Sequence, residues 1–169
     1  MSRVIRPRAG FALLLVALLA GSYALDAQVT GDRLLRAASE PHNWLTYGGT
    51  YSSQRYSTLD QITPANVARL ESKWVVQNQV FGAWQSNPIV VDGVMYITQR
   101  PNDVMAVDAK TGSLYWLYRH TPSTDAKVCC GANNRGVAIL GDLVFMGTLD
   151  ARLIAIDRVS GKARWNIAV

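Results

Sequence analysis

From Ile89 onward, short runs of apolar and β-branched residues alternate with turn residues, a spacing that predicts β-strands rather than helices. Four strands are expected: Ile89 to Val91, Val94 to Thr98, Val104 to Asp108 and Leu114 to Tyr118. Between the first two, Asp92-Gly93 is a strong hairpin signal, because glycine accepts the positive φ of a tight two-residue turn. The pattern returns 49 residues later, where Gly141 to Trp165 overlies Asp92 to Trp116. Under that shift Tyr96 meets Phe145, Ala106 meets Ala155, Asp108 meets Asp157, Gly112 meets Gly161 and Trp116 meets Trp165. A weaker copy of the last element, ESKW, ends at Trp74. Self-similarity at a fixed period marks a repeat architecture, and four short antiparallel strands per repeat describe a propeller blade.

Each repeat carries Ala-x-Asp-x-x-Thr/Ser-Gly-x-x-x-Trp, at Ala106 to Trp116 and again at Ala155 to Trp165. The small alanine leaves room for a neighbouring side chain. Aspartate and Thr or Ser bond backbone groups and hold the turn at Lys110-Thr111-Gly112 or Val159-Ser160-Gly161, and glycine takes the strained position. The tryptophan offers a flat surface for the next blade and an indole N–H for one carbonyl. A blade cannot bury both faces alone. A chain of 169 residues would suffice for one ordinary domain, but a closed ring of such blades needs on the order of 300 to 400 residues. The expected architecture is therefore all-β, about two N-terminal blades of a propeller that is incomplete as given.

Charge and the chain start refine this picture. The formal charge is +5, but Arg3, Arg6 and Arg8 lie in a segment that reads as an export signal, and from Gln28 onward the balance falls to +3 without basic runs. A nucleic-acid surface needs clustered cations, so no nucleic-acid partner is expected. Residues 1 to 27 have a basic start, an uncharged apolar stretch from Phe11 to Ala20, and small residues that suit cleavage after Ala24 or Ala27. A membrane anchor is the rival reading, since 17 uncharged residues run from Ala9 to Leu25, but the apolar core is short for a bilayer. The expected mature part is residues 28 to 169, exported to the periplasm. Cys129 and Cys130 are adjacent, and in an oxidising compartment a disulfide is favoured over two free thiols. Read alone, the pair is equally consistent with an ordinary buried cysteine pair. Metal binding is disfavoured, because adjacent thiolates chelate poorly and only His42 and His120 exist to complete a site.

The repeat signature resembles the tryptophan-docking motif of the eight-bladed quinoproteins. Cys129-Cys130-Gly131-Ala132-Asn133-Asn134-Arg135-Gly136 resembles the loop of methanol- and ethanol-type dehydrogenases that use pyrroloquinoline quinone (PQQ), in which a vicinal disulfide lies against the quinone. The resemblance implies that Cys129 and Cys130 form that plate and that Arg135 pairs with a PQQ carboxylate. That role suits a guanidinium, which grips oxyanions bidentately. Trp84 to Tyr96 resembles the family's first complete inner strand, where a glutamate usually reaches toward PQQ. Here Gln85 stands there, able to hydrogen-bond but uncharged. Asn43 to Asn66 resembles the segment before the first blade, with a short helix predicted to begin near Thr63-Pro64. In all, the likeness runs from about Leu34 to Val169.

The resemblance further implies oxidation of a primary alcohol to an aldehyde, with PQQ as cofactor and often a cytochrome c as electron acceptor. It also implies a calcium or lanthanide ion as Lewis acid and an aspartate base. Asp92, Asp108, Asp142 and Asp157 sit at turns and read as turn stabilisers, so no catalytic residue and no metal ligand is assigned. The alternative is a non-catalytic envelope propeller built from the same repeats. It would need the docking motifs but have no use for Cys129, Cys130 or Arg135. An inactive remnant of such an enzyme is the third reading.

Overall fold

A computed structural model describes residues 28–169, so the predicted export segment and both cleavage positions lie outside the described residues. The strands of the first repeat are β1 (Ile89–Val91), β2 (Val94–Gln99), β3 (Asp103–Asp108) and β4 (Leu114–Tyr118). Those of the second are β5 (Ala138–Leu140), β6 (Leu143–Gly147), β7 (Arg152–Asp157) and β8 (Ala163–Ala168). Each set forms one antiparallel sheet in simple chain order, so the two repeats are two blades. The β1–β2 turn has φ of 51° at Asp92 and 80° at Gly93. That is the demand of a type I′ turn, which suits the right-handed strand twist.

The repeat signature works as its chemistry requires. In both blades the register breaks just after the motif alanine, leaving Ala106 opposite Trp116 and Ala155 opposite Trp165. Both alanines are fully buried. Asp108 accepts from the backbone N–H of Lys110 and Thr111, and Asp157 from those of Val159 and Ser160. Two tryptophans, Trp74 and Trp116, each seat on the blade that follows them. Trp74 lies over Gly112 and donates its indole N–H to the Ala109 carbonyl at 3.2 Å. Trp116 lies over Gly161 and donates to the Arg158 carbonyl at 3.0 Å. The acceptor is three residues before the glycine in both cases. A Cβ on either glycine would come within 2.6 Å of the indole, and φ there is 73° and 69°, so contact and backbone both require glycine.

The core lies where the blades meet, with Ile89, Val91, Val104, Ile139, Val144, Met146, Ile154 and Ile156 buried. Fully burying such a side chain contributes roughly 1.5–3 kcal/mol. The segment before the blades completes it by crossing both of them. Val29 exchanges backbone hydrogen bonds with Gly141 of the second blade, and Trp44 with Val90 of the first. Leu34 and Ala37 between these points, and Leu45 just after the second, add to the same core. Arg33 clasps the arrangement by pairing with Glu40 and with Asp92 at the β1–β2 turn. Those two carboxylates, Glu40 foremost, raise the Arg33 pKa further against the opposing cost of burial.

Two local features depart from expectation. A five-residue helix, α1 (Gly31–Leu35), forms under a Thr30 cap whose hydroxyl accepts from Arg33 N–H. At Thr63-Pro64 a turn and a single 3-10 turn over Val67–Arg69 replace the predicted helix start. Asn66 Oδ1 accepts from Thr63 N–H at 2.8 Å, as a capping side chain does, and the extended backbone of Leu70 ends the segment after one turn. Among the described residues no helix is long and apolar enough to cross a membrane.

Candidate functional site

The connection from β4 to β5 carries the cysteines and Arg135, and side chains from both blades pin it. At its start His120 Nε2 lies 3.0 Å from Asp150 Oδ1, and Ser123 N–H donates to the other carboxylate oxygen at 3.1 Å. Thr148 Oγ1 also donates to Asp150. Burial opposes ionisation of Asp150, yet the bonds from Thr148, His120 and Ser123 hold its pKa down at about 2. Toward the end, Arg100 Nε donates to the Ala132 carbonyl at 3.1 Å, and the Arg135 carbonyl accepts from Asn87 N–H at 3.1 Å. Asn87 and Gly136 form a parallel bridge, so the inner edges of the two blades enter side by side.

This bridge brings two of the candidate residues together. Arg135 Nε donates to Gln85 Oε1 at 3.1 Å across 50 residues of sequence, about one repeat. Gln85 thus meets Arg135 directly, and as an amide it orients the guanidinium without neutralising it. Among the described residues Arg135 has no carboxylate partner, and it is the one charged residue lining an open hollow of about 370 Å³. The rest of that hollow is Tyr47, Asn133, Asn134, Gly136 and Val137, with Gly147 to Leu149 of the second blade.

Cys129 and Cys130 are both free and exposed, so the expected disulfide is not formed here. The two side chains interact. Hydrogen bonding with Cys129 raises the Cys130 pKa, and the nearby positive charge of Arg135 partly offsets it. Neither cysteine lines the hollow that Arg135 lines. Among the described residues no group of three or more His, Cys, Asp or Glu side chains is placed to hold a metal ion.

Sequence reasoning missed the residues that fix this loop. Asn102 and Asn134 are buried between the blades and bonded to each other, and Thr98 Oγ1 donates to the Asn134 carbonyl at 3.2 Å. Asn134 lay within the quoted motif. Asn102 and Thr98 carry no local signal, because their partners are 32 and 36 residues away.

Two adjacent blades joined by tryptophan seats, with a cationic hollow at their inner edges, define the chain as a section of a β-propeller. Residues 44–166 match the glucose/ethanol/alcohol dehydrogenase β-propeller domain of the PQQ family. The chain is 44% identical over 140 residues to the dehydrogenase subunit of the quinone alcohol dehydrogenase of Gluconacetobacter polyoxogenes, covering 82% of this chain and 19% of that protein. The solved quinohemoprotein alcohol dehydrogenase ADHIIG of Pseudomonas putida HK5 superposes with a TM-score of 0.78 at 43% identity, over 83% of this chain and 21% of that one. A europium-containing methanol dehydrogenase gives 0.75 at 34% identity, over 81% and 25%. The chain belongs to the PQQ-dependent quinoprotein alcohol dehydrogenase family, and it spans about a fifth to a quarter of the length of these relatives.

Proposed function

We propose that this chain forms one wall of a PQQ pocket in a dehydrogenase that oxidises a primary alcohol to the aldehyde. The observation that carries this reading is Arg135, an exposed guanidinium held by the neutral Gln85, on the same connection as the exposed Cys129 and Cys130. The donor set fits the cofactor. PQQ is a flat tricarboxylate, and Arg135 offers an unneutralised cation for one carboxylate. The adjacent cysteines, joined by a disulfide in an oxidising compartment such as the periplasm, offer a polarisable cover for the ring. When bound, PQQ would supply the two-electron acceptor for oxidation of the alcohol carbon. This chain's residues would bind and orient: Arg135 would hold one carboxylate, and Gln85 fixes Arg135.

The calcium or lanthanide ligands, the proton acceptor and the surface that meets an electron acceptor such as cytochrome c are assigned to other blades. Export under the segment at residues 1–27 would place the protein where such partners act. A non-catalytic envelope propeller explains the tryptophan seats equally well but gives Arg135 and the cysteines no task.

The test is PQQ binding by fluorescence quenching, together with a dye-linked assay using ethanol and methanol. The 169-residue chain alone is expected to bind weakly and to reduce no dye, because one exposed ion pair contributes at most about 1 kcal/mol. In the protein assembled with the remaining blades, Arg135→Ala should weaken PQQ binding at least tenfold. Unchanged affinity in that variant would remove the reading.

A further inference from the structure

The 119–136 connection has no regular secondary structure, yet its last residues are held by a buried polar pair that sequence gives no reason to expect. Asn102 sits in the β2–β3 hairpin of the first blade and is wholly buried. Its Oδ1 accepts twice, from Asn134 Nδ2 of the connection at 3.3 Å and from Leu149 N–H of the second blade at 3.1 Å. One oxygen of the first blade thus ties the connection and the next blade together. Asn134 is saturated around this contact. Its Nδ2 also donates to the Gly147 carbonyl at 2.8 Å, its Oδ1 accepts from Gly136 N–H at 3.1 Å, and its carbonyl accepts from Thr98 Oγ1. Arg135 is the next residue in the chain, so its Cα inherits whatever position these bonds impose.

Asn102 uses only half of its amide. Its Nδ2 is buried with no hydrogen-bond partner among the described residues, and an unpaired buried donor costs stability. A side chain selected for packing alone would be apolar there. We infer that Asn102 is a positioning residue: through its side-chain oxygen and Asn134 it sets the place of Arg135 and of Cys129-Cys130 relative to the second blade. The inference rests on the quinone-pocket reading for what the loop serves, but the loop's position can be read without any cofactor.

The half-used amide makes a specific demand. Asn102→Asp retains the acceptor: protonated, as burial favours, it carries a single O–H in place of the idle amide, and ionised it carries no donor. Asn102→Ala removes the acceptor. Hydrogen–deuterium exchange on the 169-residue chain should show the peptide from Gly131 to Val137 exchanging about fivefold faster or more in Asn102→Ala, the worth of one neutral hydrogen bond. Asn102→Asp should stay within about twofold of the parent, and β7 should be unchanged in both. Thr98→Val removes the hydroxyl that bonds the Asn134 carbonyl and Ser86 Oγ, leaves Asn102 untouched, and should act in the same direction more weakly. It keeps the inference testable should Asn102→Ala not fold.

The second readout is the cysteine pair, equilibrated in glutathione buffers so that two thiols and one oxidised glutathione give a disulfide and two reduced glutathiones. A loosened loop is less pre-organised for the tight turn that neighbouring cysteines need, so Asn102→Ala should shift the pair about fivefold or more toward dithiol. Equal exchange in all variants, or an Asn102→Asp as disturbed as Asn102→Ala, would overturn the inference. So would a loosened loop with an unmoved thiol equilibrium. Failure of PQQ to depend on Arg135, with these loop effects intact, would instead sink the pocket reading alone.

Discussion

The two blades share a strand order, a turn and a docking motif, yet they end in different surroundings. In the first, Tyr96 lies 5.9 Å from Trp116, and with the second blade beside them Tyr96 is only 1% exposed and Trp116 is half-buried. In the second, Phe145 and Trp165 repeat the contact at 5.8 Å, but Trp165 is 37% exposed and β8 is exposed along its whole length. The difference teaches that burial in a repeat protein is conferred by the neighbour and not encoded in the unit. Both glycine seats, Gly112 and Gly161, are already filled by Trp74 and Trp116.

The largest test of this contrast is tryptophan removal. Trp116→Ala empties a filled seat and should destabilise by roughly 3 kcal/mol, whereas Trp165→Ala should cost under about 1 kcal/mol. Urea titrations of both variants would settle it, and equal losses would mean that the exposed tryptophan is seated in solution.

How much of this was legible in the sequence follows from range. The strands of the first repeat fell where the alternation of apolar runs and turns put them, because strands and tight turns are decided within a few residues. That Trp116 packs on the next blade was legible in the motif, but that Gly161 is its seat was not, since the glycine was read only as the strained turn position. The helix α1 escaped because five residues give no periodicity to read. The helix expected near Thr63-Pro64 is cut to a turn and one 3-10 turn, because Leu70 is already extended. In the site, the residue types were readable and their partners were not. Gln85 was marked as a departure from the family pattern, but that it holds Arg135 depends on two inner strands lying side by side.

Acid should separate the blades next. Hydrogen bonds from Ser160 and an ion pair with Arg164 hold Asp157 well below the ordinary carboxylate range, and Asp150 is held at about 2. Both belong to the second blade. A carboxylate whose folded pKa is depressed adds stability that is full above its unfolded value and lost as pH falls through the folded one. Stability should therefore hold above about pH 4 and decline toward pH 2, with Asp150 alone contributing on the order of 2 kcal/mol. Hydrogen exchange across this window should show β7 and the 119–125 stretch opening before β2 and β3. Simultaneous opening would contradict the assignment.

The smallest effect comes from making the first blade resemble the second. Tyr96 donates its hydroxyl to the Arg158 carbonyl at 3.4 Å, a bond that Phe145 cannot make. Tyr96→Phe should cost about 0.5 kcal/mol in thermal unfolding, since the bond is long and the ring contact remains.

The pairing of Val29 with Gly141 has a consequence for synthesis. Gln28, beside it, bonds Asp142 across 114 residues of chain, so the segment made first has its partner made late. At about 5–20 residues per second, the ribosome needs on the order of ten seconds to bridge that interval. Through it, Val29, Leu34 and Leu45 wait with no second blade to cover them, an interval in which a holding chaperone would find its binding site.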